Sequence, residues 1–519
     1  MTFTAAGAVQ SVDWVAIAPP ALTAAFALLV LVADLFLPAA RKPLLGWVSV
    51  AGLALAALTL LPLREGDRTT FCTARESALC SYAADRFALV VQFLVLGGAL
   101  VAALMSVTGR RDARVGRALP EGEYWFLLLS SAAGAALLPA ARDLATLVVA
   151  LEVASLPAFA LVGMRRGDRR SAEAALKFFL SSVTATAVTL LGASFVYAAT
   201  GSLYLARIAE RLDAVDGQLH TLARAGVALT LVGFAFKTAA VPFHFWVPDT
   251  YVGAPLPVAA YLSVVGKAVG FSGLILVTVV GFPSYADVWG PVLAVLAALT
   301  MTAGNVAALR QRATRAYGAV RLLAWSSVGQ AGYLLVPIAA AGYSDRPRHA
   351  IGSTLSYALM YAAVNMGAFA VAALVARAAP LNRLSDYRGL YGRHPLAAVV
   401  LGFFLLCLAG LPPGIIGLFA KVTVVSSAVD AGLGWLAVVM AVNVVLGLYY
   451  YLRWTAALFR APDAGEAPDA APAAPSPDGA ATARVPLPIA ATIALTCATA
   501  LALSGAPQLV LRFSSGALF

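Results

Sequence analysis

Apolar runs long enough to cross a bilayer follow one another along almost the whole of this chain, separated by short basic loops. A spanning helix takes roughly 20 apolar residues. Reading such runs along the 519 residues gives about fourteen candidate spans. Their approximate limits are 14–38, 43–63, 84–108, 121–140, 143–164, 174–200, 222–245, 253–281, 286–309, 317–341, 350–379, 395–427, 431–459 and 485–510. Only 12% of the residues are charged, where a soluble chain carries about 25%, so a water-facing surface of this size has too little charge to cover it. The runs are continuous, not alternating, which argues against a β-barrel. The fold class expected is an all-α integral membrane protein.

The loops test the span count independently. Loops after odd-numbered spans carry roughly twice the Lys and Arg of the opposite side, termini included, and the positive-inside rule puts the richer side in the cytoplasm. Both termini are then expected outside the cytoplasm. No Lys or Arg precedes Arg41, so the first run lacks the basic start of a cleaved signal. The net charge of +11 reads as loop arginine facing an anionic leaflet, with no nucleic-acid partner. Residues 461–484, rich in Ala, Pro, Asp and Gly, read as a flexible cytoplasmic linker.

Four cysteines and four histidines exclude a good deal. No CxxC or CxxCH occurs, which leaves iron–sulfur cassettes, zinc ribbons and c-type haem attachment without support. No P-loop and no GxGxxG after a strand is present. Cys72 and Cys80 share one short extracytoplasmic loop, where a disulfide and two free thiols are both open readings. Cys407 and Cys497 fall inside spans as small packing residues.

Lysine is the informative residue. The chain has 36 basic residues but only five lysines, and four of them (Lys177, Lys237, Lys267 and Lys421) fall inside spans. An ionisable group at the bilayer centre costs about 2.5–3.5 kcal/mol, and four cost on the order of 10 kcal/mol. Arginine serves wherever a fixed loop charge suffices. A buried lysine can release its proton; a buried arginine cannot. Glu152, in ALEVASLP, adds a carboxylate at the middle of the fifth span, and a lysine on a neighbouring helix is its natural partner. Lys237 and Lys267 lie too deep for easy snorkelling. Lys177 is one turn from a span end, where snorkelling competes with a functional role.

Proline interrupts two of these spans. Lys237 is followed by TAAVPFHFWVP, so Pro242 is expected to break the seventh span; LAGLPPGIIG precedes Lys421 and is expected to break the twelfth. Broken helices at membrane depth are tolerated where they face protein or line a water-filled cavity. They mark ion sites in transporters, often in corresponding places of inverted repeats. His244 sits beside the first break, either as a titrating group or as a histidine bonded at a helix end. Tyr357, Tyr361 and Asn365 read as interhelical packing and hydrogen-bonding residues, and Trp14, Trp125, Trp246 and Trp289 as interfacial anchors.

At these residues the chain resembles the antiporter-like membrane subunits of respiratory complex I and of the multisubunit cation/proton antiporters. GFAFKTAAVPFHFWVPDTYVGAPLPVAAYLSVVGK at 233–267 carries the resemblance, with LEVASLP at 151–157 and ALKFFLSS at 175–182. A lysine at 421 and the lack of a long lateral helix after residue 510 resemble the subunit N branch of bacterial NADH–quinone oxidoreductase.

That resemblance implies a three-helix segment at 1–120, two inverted five-helix units at 121–281 and 286–459, a linker at 460–484 and a last helix at 485–519. It implies a proton relay of Glu152, Lys237, Lys267 and Lys421, with Lys177 and His244 as further candidates. No cofactor is implied in this chain; NADH, FMN, iron–sulfur clusters and quinone belong to other subunits of the complex. The implied partners are other membrane-arm subunits, lipid and protons, and the implied location is the bacterial inner membrane. Two rival readings are a subunit of a sodium/proton antiporter and a scaffold whose buried charges only hold helices together. The low-lysine background argues against the scaffold.

Overall fold

Helices take up nearly every apolar run. The computed structural model describes residues 12–73, 79–107, 119–344, 347–461, 485–514 and 518, so most of the expected linker, from residue 462 on, lies outside the described residues. Helix α1 (Trp14–Phe36) starts where the Asp13 side chain accepts from the amides of Val15 and Ala16. Helix α2 (Leu44–Leu58), strands β1 (Arg68–Cys72) and β2 (Cys80–Ala84), and helices α3 (Arg86–Val107), α4 (Glu121–Leu137), α5 (Leu144–Val162), α6 (Arg169–Thr200) and the amphipathic α7 (Leu205–Asp213) follow. Next come α8 (His220–Thr238), α9 (Trp246–Gly253), α10 (Leu256–Tyr261) and α11 (Lys267–Ile275). The last two belong to one span, Leu256–Gly281, wound into π-helical turns at Leu262–Gly266 and Leu276–Gly281. The chain continues through α12 (Ala286–Leu309), α13 (Gly318–Ala341), α14 (Pro347–Ala378), α15 (Leu390–Arg393), α16 (Pro395–Ala409), α17 (Ile415–Asp430), α18 (Gly434–Phe459), α19 (Leu487–Gly505) and α20 (Gln508–Leu511).

Among the described residues, 11 helical segments are long and apolar enough to cross a membrane. The other three expected spans take a different form: 121–140 is the shorter α4, 222–245 stops early as α8, and 395–427 is divided into α16 and α17. Of the 11, α13 buries the largest share of its surface, and α14 and the α10–α11 span lie against it. Helices α1, α18 and α19 instead expose apolar side chains such as Phe36 and Val445, the face a bilayer covers.

Loops on one side of the bundle are tied to each other. The Tyr317 amide donates to the Leu381 carbonyl, Ser385 to Ala313, and Gly389 to Arg460. Loops that the charge bias placed on one side therefore meet there. At the opposite end β1 and β2 pair antiparallel with Cys72 facing Cys80, and a disulfide joins them. Arg142, which follows α4, forms an ion pair with Asp85 beneath that hairpin.

Candidate functional site

Two helices end inside the bundle, and each ending leaves backbone carbonyls without intrahelical donors. Helix α8 stops at Thr238 because Ala239 turns into the left-handed region (φ 65°) and Pro242 has no amide hydrogen to continue the ladder. Helix α16 stops at Ala409 with Gly410 in the same region (φ 83°), ahead of Pro412 and Pro413. The Val241–Pro242 and Pro412–Pro413 peptide bonds are both cis.

Lysines take up those carbonyls. Lys267 Nζ donates to the Thr238 carbonyl (3.3 Å) and to the Ser327 carbonyl (2.8 Å). Lys421 Nζ donates to Leu408 (2.8 Å) and Ala409 (2.7 Å), the last two carbonyls of α16. A helix C-terminus carries partial negative charge, so a cation is favoured there. The Phe236 carbonyl accepts from the Trp246 indole (3.1 Å), which bridges the first break.

Lys237 is held differently. It lies in the last turn of α8, before the break, and its Nζ donates to Ser155 Oγ of α5 (2.7 Å). The Phe178 ring stands 5.3 Å away, with Trp246 stacked on that ring. Glu152, one turn from Ser155 on α5, accepts instead from Thr186 Oγ1 of α6 (2.6 Å). The expected Glu152–Lys237 pair is thus not a direct ion pair; Ser155 stands in that place. All three central lysines are at most 6% exposed, a degree of burial lysine tolerates only with partners.

The remaining candidates lie apart. Residues adjacent along a helix point about 100° apart; Phe178 faces the core, so Lys177 faces out. There it forms ion pairs with Glu173 (2.6 Å) and Asp249 (2.9 Å), outside the buried line. His244 lies in the turn between α8 and α9 against the Trp325 ring, and its Nδ1 has no partner among the described residues. Trp14 is exposed as an anchor should be, but Trp125, Trp246 and Trp289 are buried. The last two spend their N–H on carbonyls freed at helix ends, Phe236 and Phe282. Interfacial water is therefore not their partner.

Helix α13 supplies residues that a search for ionisable groups missed. Ser327 accepts from Tyr361 Oη (2.8 Å). One turn further, Gln330 accepts from Tyr357 Oη and donates to Tyr451 Oη (3.1 Å). Tyr333 places its ring 5.6 Å from Lys421 Nζ. Ser326, Gln330 and Tyr333 repeat at helical spacing within an apolar run, and that was the available signal. The contacts fall into separate groups: Glu152 with Thr186, Lys237 with Ser155, Lys267 with the Thr238 and Ser327 carbonyls, Gln330 with Tyr357 and Tyr451, and Lys421 with the Tyr333 ring. What the arrangement offers chemically is a set of buried ionisable groups, each held by neutral polar or aromatic neighbours.

The profile of a family described as NADH:quinone oxidoreductase/Mrp antiporter, TM, matches residues 141–447. The chain is 72% identical to NADH-quinone oxidoreductase subunit N 2 of Streptomyces griseus over 514 residues, 98% of this chain and 95% of the relative. It superposes on a chain of respiratory complex I from Thermus thermophilus with a TM-score of 0.73 at 32% identity, covering 95% of this chain and 98% of that one. A chain of the Mrp complex from Dietzia sp. shares the fold alone, with a TM-score of 0.77 at 23% identity over 96% of each.

Proposed function

Because the chain belongs to the subunit N family of NADH-quinone oxidoreductase, the antiporter-like membrane-arm subunits of respiratory complex I, we propose that it moves protons along the line from Glu152 to Lys421. Its partners are the other membrane subunits of that enzyme. The observation that carries the reading is that Lys237, Lys267 and Lys421 are all buried, two of them on carbonyls freed at helix breaks and one on Ser155, a turn from Glu152.

The mechanism follows from how each lysine is held. Redox chemistry belongs to NADH, FMN, iron–sulfur clusters and quinone in other subunits, and reaches this chain as a shift of charge at one end of the line. A carboxylate close to an ammonium favours the charged form. With Ser155 as the lysine's acceptor and Glu152 one turn away on the same helix as that serine, a small movement of Glu152 toward or away from Lys237 changes how firmly the lysine holds its proton. Lys267 and Lys421 sit on fixed carbonyl dipoles and respond to the charge of their neighbours. The chain would lie in the bacterial inner membrane as two five-helix units, 121–281 and 286–459, with both termini outside the cytoplasm.

The test is the ratio of protons pumped to NADH oxidised in vesicles containing the assembled complex. Lys237→Ala is expected to abolish or strongly lower pumping while the complex still assembles. A normal ratio in an assembled Lys237→Ala complex rules out the relay. Lys237→Arg keeps the charge but removes exchange, so pumping retained there would reduce the site to a structural cation.

A further inference from the structure

The cleft where the loops after α12 and α14 meet the end of α18 has chemistry the relay does not use. A cavity of about 110 Å³ opens there, lined by Gln311, Arg388, Tyr449, Arg453, Trp454 and Arg460 together with apolar side chains. Three arginines line it, and among the described residues its lining has no carboxylate. Trp454 is only 3% exposed, its ring held edge-on by Tyr387. Its indole N–H has no acceptor among the described residues. A buried donor without an acceptor costs about 1–3 kcal/mol, and the space beside it exceeds what a single water needs. Gln311 spends its Nε2 on the Ala307 carbonyl, while its buried Oε1 has no donor among the described residues.

We infer that this cleft binds the headgroup of an anionic phospholipid. The phosphate would accept from the Trp454 indole and the arginines, and a headgroup hydroxyl would donate to Gln311 Oε1. Guanidinium is the side chain best matched to phosphate oxygens, and basic pockets between spanning helices on the cytoplasmic side suit such headgroups. The end of the bundle where the cleft opens is the arginine-rich end. What favours a lipid over a free anion is the surface leading away from the cleft. Val438, Val442, Val445 and Tyr449 recur at helical spacing along α18, each more than half exposed, and they run from the cleft along the spanning helix. Acyl chains can lie on that stripe while the phosphate reaches the arginines.

The experiment uses the whole complex, purified in a non-ionic detergent through a tag on this chain and stripped of loose lipid. Dioleoylphosphatidylglycerol, dioleoylphosphatidylcholine and inorganic phosphate are titrated separately, and lipid bound to this chain is read by native mass spectrometry alongside thermal stabilisation. Phosphatidylglycerol is expected to bind selectively. The Arg453→Gln/Arg460→Gln pair should weaken it roughly tenfold or more, and Trp454→Phe about fivefold. Arg453→Lys/Arg460→Lys, which keeps the charge but loses the guanidinium fork, should bind between the unaltered chain and the Gln pair, and shows that the site tolerates substitution. Equal binding of the two lipids, unchanged binding in the Gln pair, or stabilisation by inorganic phosphate alone matching that of phosphatidylglycerol would each overturn the assignment.

Discussion

The two helix breaks solve the same backbone problem with their lysines on opposite sides. At the second break, Lys421 follows the interruption and folds back onto the last carbonyls of its own first half. At the first, Lys237 precedes the interruption and ignores the freed carbonyls, which go to Trp246 and to Lys267 from another helix. Lys237 is thereby left to side chains, Ser155 and the Phe178 ring, with a carboxylate one helical turn beyond. Lys421 has an aromatic ring and fixed dipoles, and no ion pair among the described residues. A cation bound by backbone dipoles is held at nearly constant strength. A cation bound by side chains beside a movable charge can be adjusted, so the first break is where coupling to an outside charge has a handle.

The sharpest way to break this contrast is to remove the close approach each break depends on. At the second break a methyl group on Gly417 would lie 1.8 Å from the Cys407 carbonyl oxygen, inside the same broken helix. At the first, a methyl group on Gly270 would lie 2.5 Å from the Thr238 amide nitrogen, between two helices. Gly417→Ala has nowhere to relax and is expected to eliminate the assembled chain, with destabilisation beyond about 4 kcal/mol. Gly270→Ala can relax by moving α11 outward, which should leave assembled complex but lift Lys267 off Thr238 and lower pumping. Membrane abundance of the tagged chain, followed by the pumping ratio, separates the two. Equal abundance would show that the breaks do not differ in how they are braced.

Next in size is the charge itself. Glu152→Gln removes the movable charge, and the proton-to-NADH ratio should fall several-fold while quinone reduction continues. Ser155→Ala leaves the Lys237 ammonium short of one acceptor, a loss of about 1–3 kcal/mol, and should slow pumping without abolishing it. If Ser155→Ala costs more than Glu152→Gln, the hydroxyl and not the carboxylate is the adjustable element.

Much of this was readable from the residues, for definite reasons. Long apolar runs dictate helices in a bilayer because no other segment satisfies its own backbone there. The scarcity of lysine exposed Lys237, Lys267 and Lys421 because arginine filled nearly every loop role. Neutral polar residues gave no such contrast: Ser326, Ser327, Gln330 and Tyr333 resemble tolerated passengers of a hydrophobic helix until α13 is seen at the centre of the bundle. Burial also reversed the reading of Trp246 and Trp289, since sequence shows that an indole is near a helix end but not that a freed carbonyl waits for it. The disulfide between Cys72 and Cys80 was open in the sequence because the strand register that faces them was not legible there.

The smallest effect concerns the residue that closes each helix. Gly410 was a readable stop, since glycine enters the left-handed region freely. Ala239 gave no warning, because an L-residue there pays about 1–2 kcal/mol. Ala239→Gly relieves that strain, but it removes a methyl group that is fully buried, worth about 0.8 kcal/mol, and adds freedom to the unfolded chain worth about 0.4–1 kcal/mol. The three contributions nearly cancel, and the stability of the solubilised complex should change by less than about 1 kcal/mol. Gly410→Ala has no such cancellation. It acquires the left-handed strain, and its new methyl group would meet Lys421 Cδ at 3.1 Å, while that side chain is pinned by two carbonyls and cannot swing away. Its melting temperature should drop measurably where that of Ala239→Gly does not, and pumping should fall with it because Lys421 is displaced. Equal shifts in the two variants would mean that neither helix end is held by the backbone conformation seen here, and that the lysines, not the caps, keep the breaks open.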